Sequence, residues 1–253
     1  MNEHLINTAR LTDELIVHSG VDYKSFMQSV VSYFEAERYF EIGTQNGVSL
    51  AMMPCDSIAV DPAFKIDRPV VGGKQVCMLF QMTSDRFFAR YSPRELLNGP
   101  IDVAFLDGMH RFEYLLRDFS NIERHCRKNS LICLHDCLPP TLEMTVREDR
   151  GSSLSAKYRG YWTGDVWKVV PILKKARPDL KIIFVDCPPT GLVICTNLDP
   201  ANEVLKSDYF ELVSEVLATP DDYTQLKEMY RSQDLLSSKE LVVSEVLTKY
   251  LWL

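Results

Sequence analysis

The sequence lacks the marks of several large protein classes. It has no block of Lys or Arg, and 28 basic residues against 35 acidic ones leave a net charge of -7. That balance disfavours a nucleic-acid partner. No apolar run approaches the ~18–20 residues of a membrane-spanning helix. The start, Met1-Asn-Glu-His-Leu-Ile-Asn, lacks the basic-then-apolar order of a secretory signal. The 7 cysteines include no Cys-x-x-Cys pair, and several fall inside apolar runs, as small buried hydrophobes do. A reduced, cytoplasmic protein is therefore expected. Glycine is scarce, at 11 of 253 residues, with neither Gly-x-Gly-x-x-Gly nor Gly-Lys-Ser/Thr. A nicotinamide dinucleotide and a phosphate-binding loop are both disfavoured.

What is present is ordinary globular composition, 46% hydrophobic and 25% charged, enough to bury a large core. Short apolar runs alternate with helical patterns. Candidate strands are Arg38–Ile42, Ser57–Asp61, Val76–Met82, Ile101–Asp107, Leu131–Asp136, Lys181–Asp186 and Leu192–Asn197. Apolar runs of this length, bounded by turn residues, read as buried parallel strands. Between Asp107 and the next strand, Phe112, Leu115, Leu116, Phe119 and Ile122 form one helical face, with Arg117, Asp118, Glu123 and Arg124 off it. The expected fold is α/β: a doubly wound, Rossmann-like sheet of 7 strands, one for each run. Only Cys187-Pro-Pro-Thr-Gly191 separates the last two strands, too short for a crossover helix. They should form an antiparallel hairpin at the sheet edge.

Three segments follow: helical 1–37, a core over 38–198, and a helical extension over 199–253. In the first, Phe26, Val30, Val31 and Phe34 recur at helical spacing. In the last, Thr219-Pro220 reads as a helix start and Ser237-Ser-Lys-Glu240 as a capping box. The apolar end Tyr250-Leu-Trp-Leu253 suits either a homo-oligomer interface or packing on its own domain. The polar, aperiodic connection 139–163 carries Tyr158, Arg159, Tyr161 and Trp162. Loops this long in a compact domain are usually lids or binding loops, so it is expected to be mobile when the protein is empty.

In an open α/β sheet, ligands bind at the carboxyl ends of the strands. Asp107, His110, His135 and Asp136 should therefore gather at one mouth, where carboxylates and an imidazole suit a divalent cation. A lone carboxylate ending a buried strand is costly without such a partner. His110, one turn beyond Asp107 and at a helix start, suits a general base; capping that helix is the alternative. The turn Glu41-Ile-Gly-Thr-Gln-Asn-Gly47 lets the backbone approach a ligand at Gly43 and Gly47, and Glu41 suits a cationic one. Asp61 ends the next strand, where an acidic group can hold ribose hydroxyls. Thr83-Ser84-Asp85 follows the third, in position for a purine edge. Cys133, His135 and Cys137 alternate on one strand, a poor match to zinc knuckles. Asp165 reads as a helix cap, Trp167 as packing, and His4, His18 and His125 as surface positions.

These motifs carry a resemblance. Glu41-Ile-Gly-Thr-x-x-Gly47 followed by Val60-Asp61-Pro62 resembles the first two motifs of class I S-adenosylmethionine-dependent methyltransferases. Leu106-Asp107-Gly-x-His110-x-x-Glu113-Tyr114 with Asp118, Leu134-His135-Asp136, Gly164-Asp-Val-Trp-Lys168 and Pro-Pro-Thr-Gly191 resemble one branch of them. That branch comprises bacterial sugar and natural-product O-methyltransferases related to macrocin and catechol O-methyltransferases. The resemblance spans roughly residues 38–198 and omits the helical ends.

It implies roles. Glu41, Gly43, Thr44 and Gly47 would line the methionine part of S-adenosylmethionine, Asp61 the ribose, and Ser84 and Asp85 the adenine, with Asp107 also at the cofactor. Asp107, His135 and Asp136 match positions that ligate a divalent metal in the metal-dependent relatives. Many of those carry Asp-Asp or Asp-Asn where this chain has His135-Asp136. A His ligand moves preference from Mg²⁺ toward Mn²⁺ or a later ion, and a site without metal stays open. The leading expectation is metal-assisted O-methylation of a small hydroxylated acceptor, a sugar among the candidates, with Asp107 and His110 catalytic. The alternatives are a metal-free enzyme with His110 as base and a catalytically silent cofactor-binding module.

Overall fold

Burial on both faces decides the strands. In the run Ile101–Leu106 every residue is buried, with Val103 and Phe105 joining one apolar layer and Ala104 and Leu106 the other. Such a run has no solvent face and belongs in the middle of a covered sheet. The computed structural model describes residues 15–149, 156–219, 223–242 and 244–251. Residues 1–14 with His4, the stretch 150–155 of the long connection, Pro220 and Trp252-Leu253 lie outside the described residues.

The described strands are β1 (Arg38–Ile42), β2 (Asp56–Val60), β3 (Cys77–Phe80), β4 (Ile101–Leu106), β5 (Cys126–His135), β6 (Lys181–Val185), β7 (Leu192–Thr196) and β8 (Leu235–Leu236). They form an 8-stranded sheet in the order β3-β2-β1-β4-β5-β7-β6-β8. β7 runs antiparallel to both β5 and β6, and the other pairs are parallel. The hairpin expected from the five-residue connection is β6–β7. It does not end the sheet, because β8 adds two residues along β6 at Phe184 and Val185.

Helices cover both faces. One side carries α1 (Tyr23–Tyr33) and α2 (Val48–Met52), packed as Phe26, Val30 and Leu50 against Tyr39, Val103 and Phe105. The other carries α3 (Ser84–Phe88), α4 (Pro93–Leu96), α5 (Phe112–Glu123) and α6 (Val169–Ala176). There Phe112, Leu116, Phe119 and Trp167 pack against Phe40, Ile42 and Ala104. The C-terminal extension contributes α7 (Val204–Ser207), α8 (Tyr209–Ala218), α9 (Tyr223–Arg231), α10 (Ser238–Leu241) and α11 (Ser244–Tyr250). Leu247 and Leu251 are buried in the α1 layer, so this end packs on its own domain. No helix among the described residues is long and apolar enough to cross a membrane.

Several expectations need correction. The expected α5 face is buried as read, but Asp118 and Glu123 are buried too, at 3% and 2% exposure. Glu123 meets the buried Arg177 at 2.7 Å. His18 is not a surface residue: it is buried, with Nε2 on the Leu138 carbonyl at 2.8 Å. His125 stacks on Phe88, and burial lowers its pKa to about 4. Asp165 caps a helix, but not its own: Oδ1 accepts from Phe112 N–H at the start of α5. Ser237 precedes α10 without a side-chain cap bond.

Candidate active site

Register builds the site. β1 pairs β4 through Ile42 and Leu106, and β4 pairs β5 through Leu106 and Leu134. The next residues of three adjacent strands, Gly43, Asp107 and His135, are thereby set side by side. Asp107 N–H donates to the Ile42 carbonyl at 2.9 Å, and Gly43 N–H to the Val60 carbonyl at 2.9 Å. A Cβ on Gly43, where φ is +88°, would lie 1.8 Å from the Asp107 carbonyl oxygen, so only glycine fits. Asp136 ends β5 at φ +60°, an uncommon conformation for a non-glycine residue, seen where surrounding contacts hold it. Its Oδ1 accepts from the Thr190 hydroxyl at 2.6 Å.

A cleft of about 1030 Å³ opens over these strand ends. Gly43, Asp61, Ser84, Asp85, Asp107, His110, His135 and Asp136 all line it, which gathers most of the expected site residues. Glu41, Thr44 and Gly47 do not. Strand alternation turns Glu41 to the same face as Tyr39, whose hydroxyl donates to Oε2 at 2.8 Å. Glu41 is fully buried beneath the turn, and burial raises its pKa against the opposing hydroxyls of Thr44, Tyr39 and Ser49. Thr44 is buried, and Gly47 caps α2 in the left-handed conformation. The Asp61 carboxylate accepts from Gln45 N–H at 2.8 Å and Ala63 N–H at 2.7 Å, fixing the turn from the cleft side. Asp85 is held bidentately by Arg117 at 2.7 and 2.6 Å.

The chemistry concentrates at the β4–β5 end. Asp107, His110 and Asp136 each offer one ligand atom, and these lie within 4.8 Å of one another. His110 takes the place expected of His135 in this group. The tautomer of His110 follows from its partner. Nδ1 lies 2.9 Å from the Trp162 carbonyl, an acceptor only, so Nδ1 carries the hydrogen. In the neutral ring Nε2 is then bare, 3.4 Å from Asp107 Oδ1. This is the arrangement of metal-binding histidines, whose second nitrogen donates to a carbonyl or carboxylate. Two carboxylates and one imidazole make a donor set that fits Mg²⁺ or Mn²⁺.

His135 stands behind that group. Its Nδ1 lies 3.1 Å from Asp107 Oδ1 and 3.3 Å from Asp136 Oδ1, so it donates to the carboxylates. Among the described residues its buried Nε2 meets no hydrogen-bond partner, and Tyr23 packs on the ring at 4.0 Å. His135 orients Asp107 rather than joining the ligand group. Without a cation, burial pulls both imidazoles down, but the acidic neighbours outweigh it. Asp136 and Asp107 raise His135 to about 10. The Asp107 hydrogen bond, then the charges of Asp136 and Asp107, raise His110 to about 9. Burial opposes ionisation of Asp107, yet the two imidazoles hold its pKa well below the carboxylate range.

The long connection reaches the site. Gly160, Tyr161 and Trp162 line the cleft, and the Trp162 ring stacks on His110 at 5.1 Å. Its described parts are tied down. Arg147 grips Glu113 at 2.5 and 3.2 Å and Asp165 at 2.5 Å, and Trp162 Nε1 donates to the Val146 carbonyl at 2.6 Å. Tyr158 is buried against Met144 and Trp162.

Tyr23, Lys24, Asp118 and Thr190 were not assigned to the site from sequence. Thr190 sits in the Pro-Pro-Thr-Gly hairpin and Asp118 in the Asp107–Asp118 motif, so both carried a signal; Tyr23 and Lys24 carried none. A second cavity of about 510 Å³ between α6, α8 and α9 lies away from the strand ends, and its Lys175 and Glu215 neutralise each other at 2.6 Å.

Residues 40–137 match the family model described as a methyltransferase domain. No curated protein matches the chain by sequence. Among solved structures it is similar to the S-adenosylhomocysteine-bound methyltransferase PaMTH1 of Podospora anserina. The identity is 16%, over 70% of this chain and 78% of that one, with a TM-score of 0.51. It is also similar to an O-methyltransferase of Bacillus cereus bound to S-adenosylhomocysteine, at 15% identity, 75% and 85% coverage and a TM-score of 0.47. A third is the O-methyltransferase TomG of Streptomyces achromogenes, involved in tomaymycin synthesis, at 12%, 78% and 90%, and 0.48. The first likeness shows the fold; the other two are too loose to add to it.

Proposed function

We propose that this chain is a methyltransferase that moves the methyl group of S-adenosylmethionine to a hydroxyl of a small acceptor, a carbohydrate or natural product, with a divalent cation at Asp107, His110 and Asp136. The observation that carries this reading is the convergence of those three ligand atoms within 4.8 Å, at the end of a cleft able to hold a nucleoside. Bound there, S-adenosylmethionine supplies an electrophilic methyl group. A divalent cation supplies positive charge that lowers the cost of removing the acceptor's proton.

The protein's own part is placement. Gly43 lets the backbone pass close to the cofactor, and Asp61 presents carboxylate lone pairs toward the ribose. Trp162 and Tyr161 cover the acceptor end and exclude water from it. His135 holds Asp107 in orientation through Nδ1, and the Trp162 carbonyl holds His110 so that Nε2 points at Asp107. Nε2 is the atom on offer: to the cation when one is present, to the acceptor's proton when none is.

That second use defines the competing reading. His110 and His135 as imidazolium ions balance Asp107 and Asp136 without metal. His110, raised to about 9, is then protonated at neutral pH and cannot act as base until the pH rises. Transfer of a labelled methyl group from S-adenosylmethionine across a panel of hydroxylated acceptors, with and without chelator, separates the readings. Loss on chelation at pH 7 and recovery with Mg²⁺ or Mn²⁺ is expected. Undiminished turnover that climbs toward pH 9 in chelator would overturn the cation and leave His110 as base. Absence of cofactor binding would overturn the transferase reading itself.

A further inference from the structure

Tyr23 and Lys24, which open α1, have no task in the scheme above, yet both line the cleft. The Tyr23 ring packs on His135 at 4.0 Å and on Phe105 at 5.8 Å, which sets it over the ends of β4 and β5. β1 separates those strands from the β2 end that carries Asp61. The Lys24 ammonium lies 4.1 Å from the centre of the same Tyr23 ring. Ring and ammonium therefore stand at the acceptor end of the cleft, beside the cation group.

Lys24 is half-buried, and among the described residues its ammonium forms no ion pair. The carboxylates whose charge it feels are Asp107 and Asp22, and both are engaged elsewhere. Asp22 caps α1, accepting from Lys24 N–H at 3.2 Å and Ser25 N–H at 3.1 Å. Asp107 is held by His135 at 3.1 Å and His110 at 3.4 Å. Arg68, the cation whose charge opposes that of Lys24, is paired with Asp67 at 2.8 Å. What the ammonium meets is the face of Tyr23. A half-buried ammonium against a ring gives up part of its hydration without gaining a counter-ion. Burial pulls its pKa down, and the two carboxylates do not fully offset this. An anion arriving with a ligand supplies the missing partner. Asp107 and Asp136 do not bar that anion, because their two charges are balanced in either reading above.

We propose that Lys24 selects acceptors that carry an anionic group, a carboxylate or a phosphate, beside the hydroxyl to be methylated. The ammonium donates N–H to the anion while the acceptor's body lies against Tyr23. A neutral acceptor of the same shape desolvates Lys24 further and leaves it unpaired, so discrimination comes from that cost as well as from the bond gained. The assignment rests on the transferase reading above and narrows it to hydroxylated acids and phosphorylated sugars.

Saturation-transfer difference NMR on protein loaded with S-adenosylhomocysteine and Mg²⁺ tests it, because it reads weak acceptor binding without turnover. D-Glucuronate and D-glucose 1-phosphate are compared with D-glucose, and 4-hydroxybenzoate with 4-hydroxybenzyl alcohol; the first set also tells a carboxylate from a phosphate. The wild type is expected to bind a charged member more tightly than its neutral counterpart by on the order of 10-fold, the worth of a charged hydrogen bond at a half-exposed site. Lys24→Gln should lose most of that preference and Lys24→Arg should keep it. Lys65 also lines the cleft, in the loop after β2, so Lys65→Gln removes the same charge at the other end and should leave the preference intact. Equal affinity of the wild type for charged and neutral members, or no binding of any charged member, would overturn the assignment. So would a preference that survives in Lys24→Gln or is lost equally in Lys65→Gln. A Lys24→Gln protein that loses affinity for S-adenosylhomocysteine by calorimetry, with its acceptor preference unchanged, would place Lys24 on the cofactor and overturn the assignment too. If the wild type does not bind S-adenosylhomocysteine, the transferase reading falls first; cofactor binding without acceptor preference removes the Lys24 assignment alone.

Discussion

Replacing Arg147 with Ala should weaken the molecule and loosen the cover of the active site together. Arg147 joins three parts of the chain. Its fork meets Glu113 on the first turn of α5 at 2.5 and 3.2 Å, and Nη1 also meets Asp165 at 2.5 Å. Asp165 is fully buried, so its charge needs partners. With Arg147 gone, Asp165 retains Phe112 N–H at 3.1 Å and Lys168 Nζ at 3.5 Å. That residual satisfaction keeps the loss below the ~3–5 kcal/mol of a fully orphaned buried charge. A cost of about 2–3 kcal/mol follows from losing charge-assisted hydrogen bonds. In a domain of this size that lowers the melting midpoint by roughly 4–12 °C. The segment around Val146 would also release the Trp162 indole, which donates to the Val146 carbonyl. His110 would then lose a firm acceptor for its Nδ1 hydrogen, and turnover should fall even where the protein is folded. Arg147→Lys keeps a charge but not the fork and should fall between. Thermal unfolding and hydrogen exchange over residues 141–149 and 112–114 measure both effects. An Arg147→Ala protein with an unchanged midpoint and unchanged protection there would refute the clasp.

Three other outcomes are expected. Asp61→Ala should weaken binding of S-adenosylhomocysteine by roughly 1.5–3 kcal/mol, through the ribose contact and through the freed Gln45 and Ala63 amides; calorimetry showing equal affinity would remove Asp61 from the site. Gly43→Ala should abolish the native turn, since its Cβ would stand 1.8 Å from the Asp107 carbonyl oxygen, whereas Gly72→Ala, with nothing within 4 Å, tests backbone strain alone; equal stability of the two variants by denaturant titration would contradict this. Asp118 has a folded pKa of about 7 against an ordinary 3.8, so the folded state binds its proton more tightly than the unfolded chain. Stability should therefore fall as pH rises from about 4 to about 7, by at most on the order of 4 kcal/mol. Asp118→Asn should flatten that slope, and an identical pH profile in both proteins would exclude a buried, unpaired Asp118.

Local pattern made much of this visible in the sequence, and long-range pairing hid the rest. The β4 and β5 runs, ending in Asp107 and Asp136, announce strand ends because apolar residues stop abruptly at charged ones. The parallel register then forces the two carboxylates together. The five residues between β6 and β7 leave no alternative to a hairpin. β8 was illegible, because Leu235-Leu236 has no periodicity and is a strand only through the edge of β6. The choice between His110 and His135 as ligand also lay beyond sequence. It depends on the Trp162 carbonyl, 52 residues away, and on burial of His135 against Tyr23. Asp118 looked like a solvated position on an amphipathic helix. It is buried because α3 and the Gly108 turn cover that edge of α5. Glu41 seemed to face the cleft because it flanks Gly43, yet strand alternation turns it to Tyr39.

The central claim is a divalent cation held by Asp107, His110 and Asp136 beside the bound cofactor. Titration of Mn²⁺ into protein saturated with S-adenosylhomocysteine, followed by the electron paramagnetic resonance of the free ion, tests it without knowledge of the acceptor. The account predicts one bound Mn²⁺ per chain, lost in Asp107→Asn and Asp136→Asn, weakened in His110→Ala, and less affected by His135→Gln. The same free Mn²⁺ signal with and without protein, or binding indifferent to Asp107 and Asp136, would contradict it.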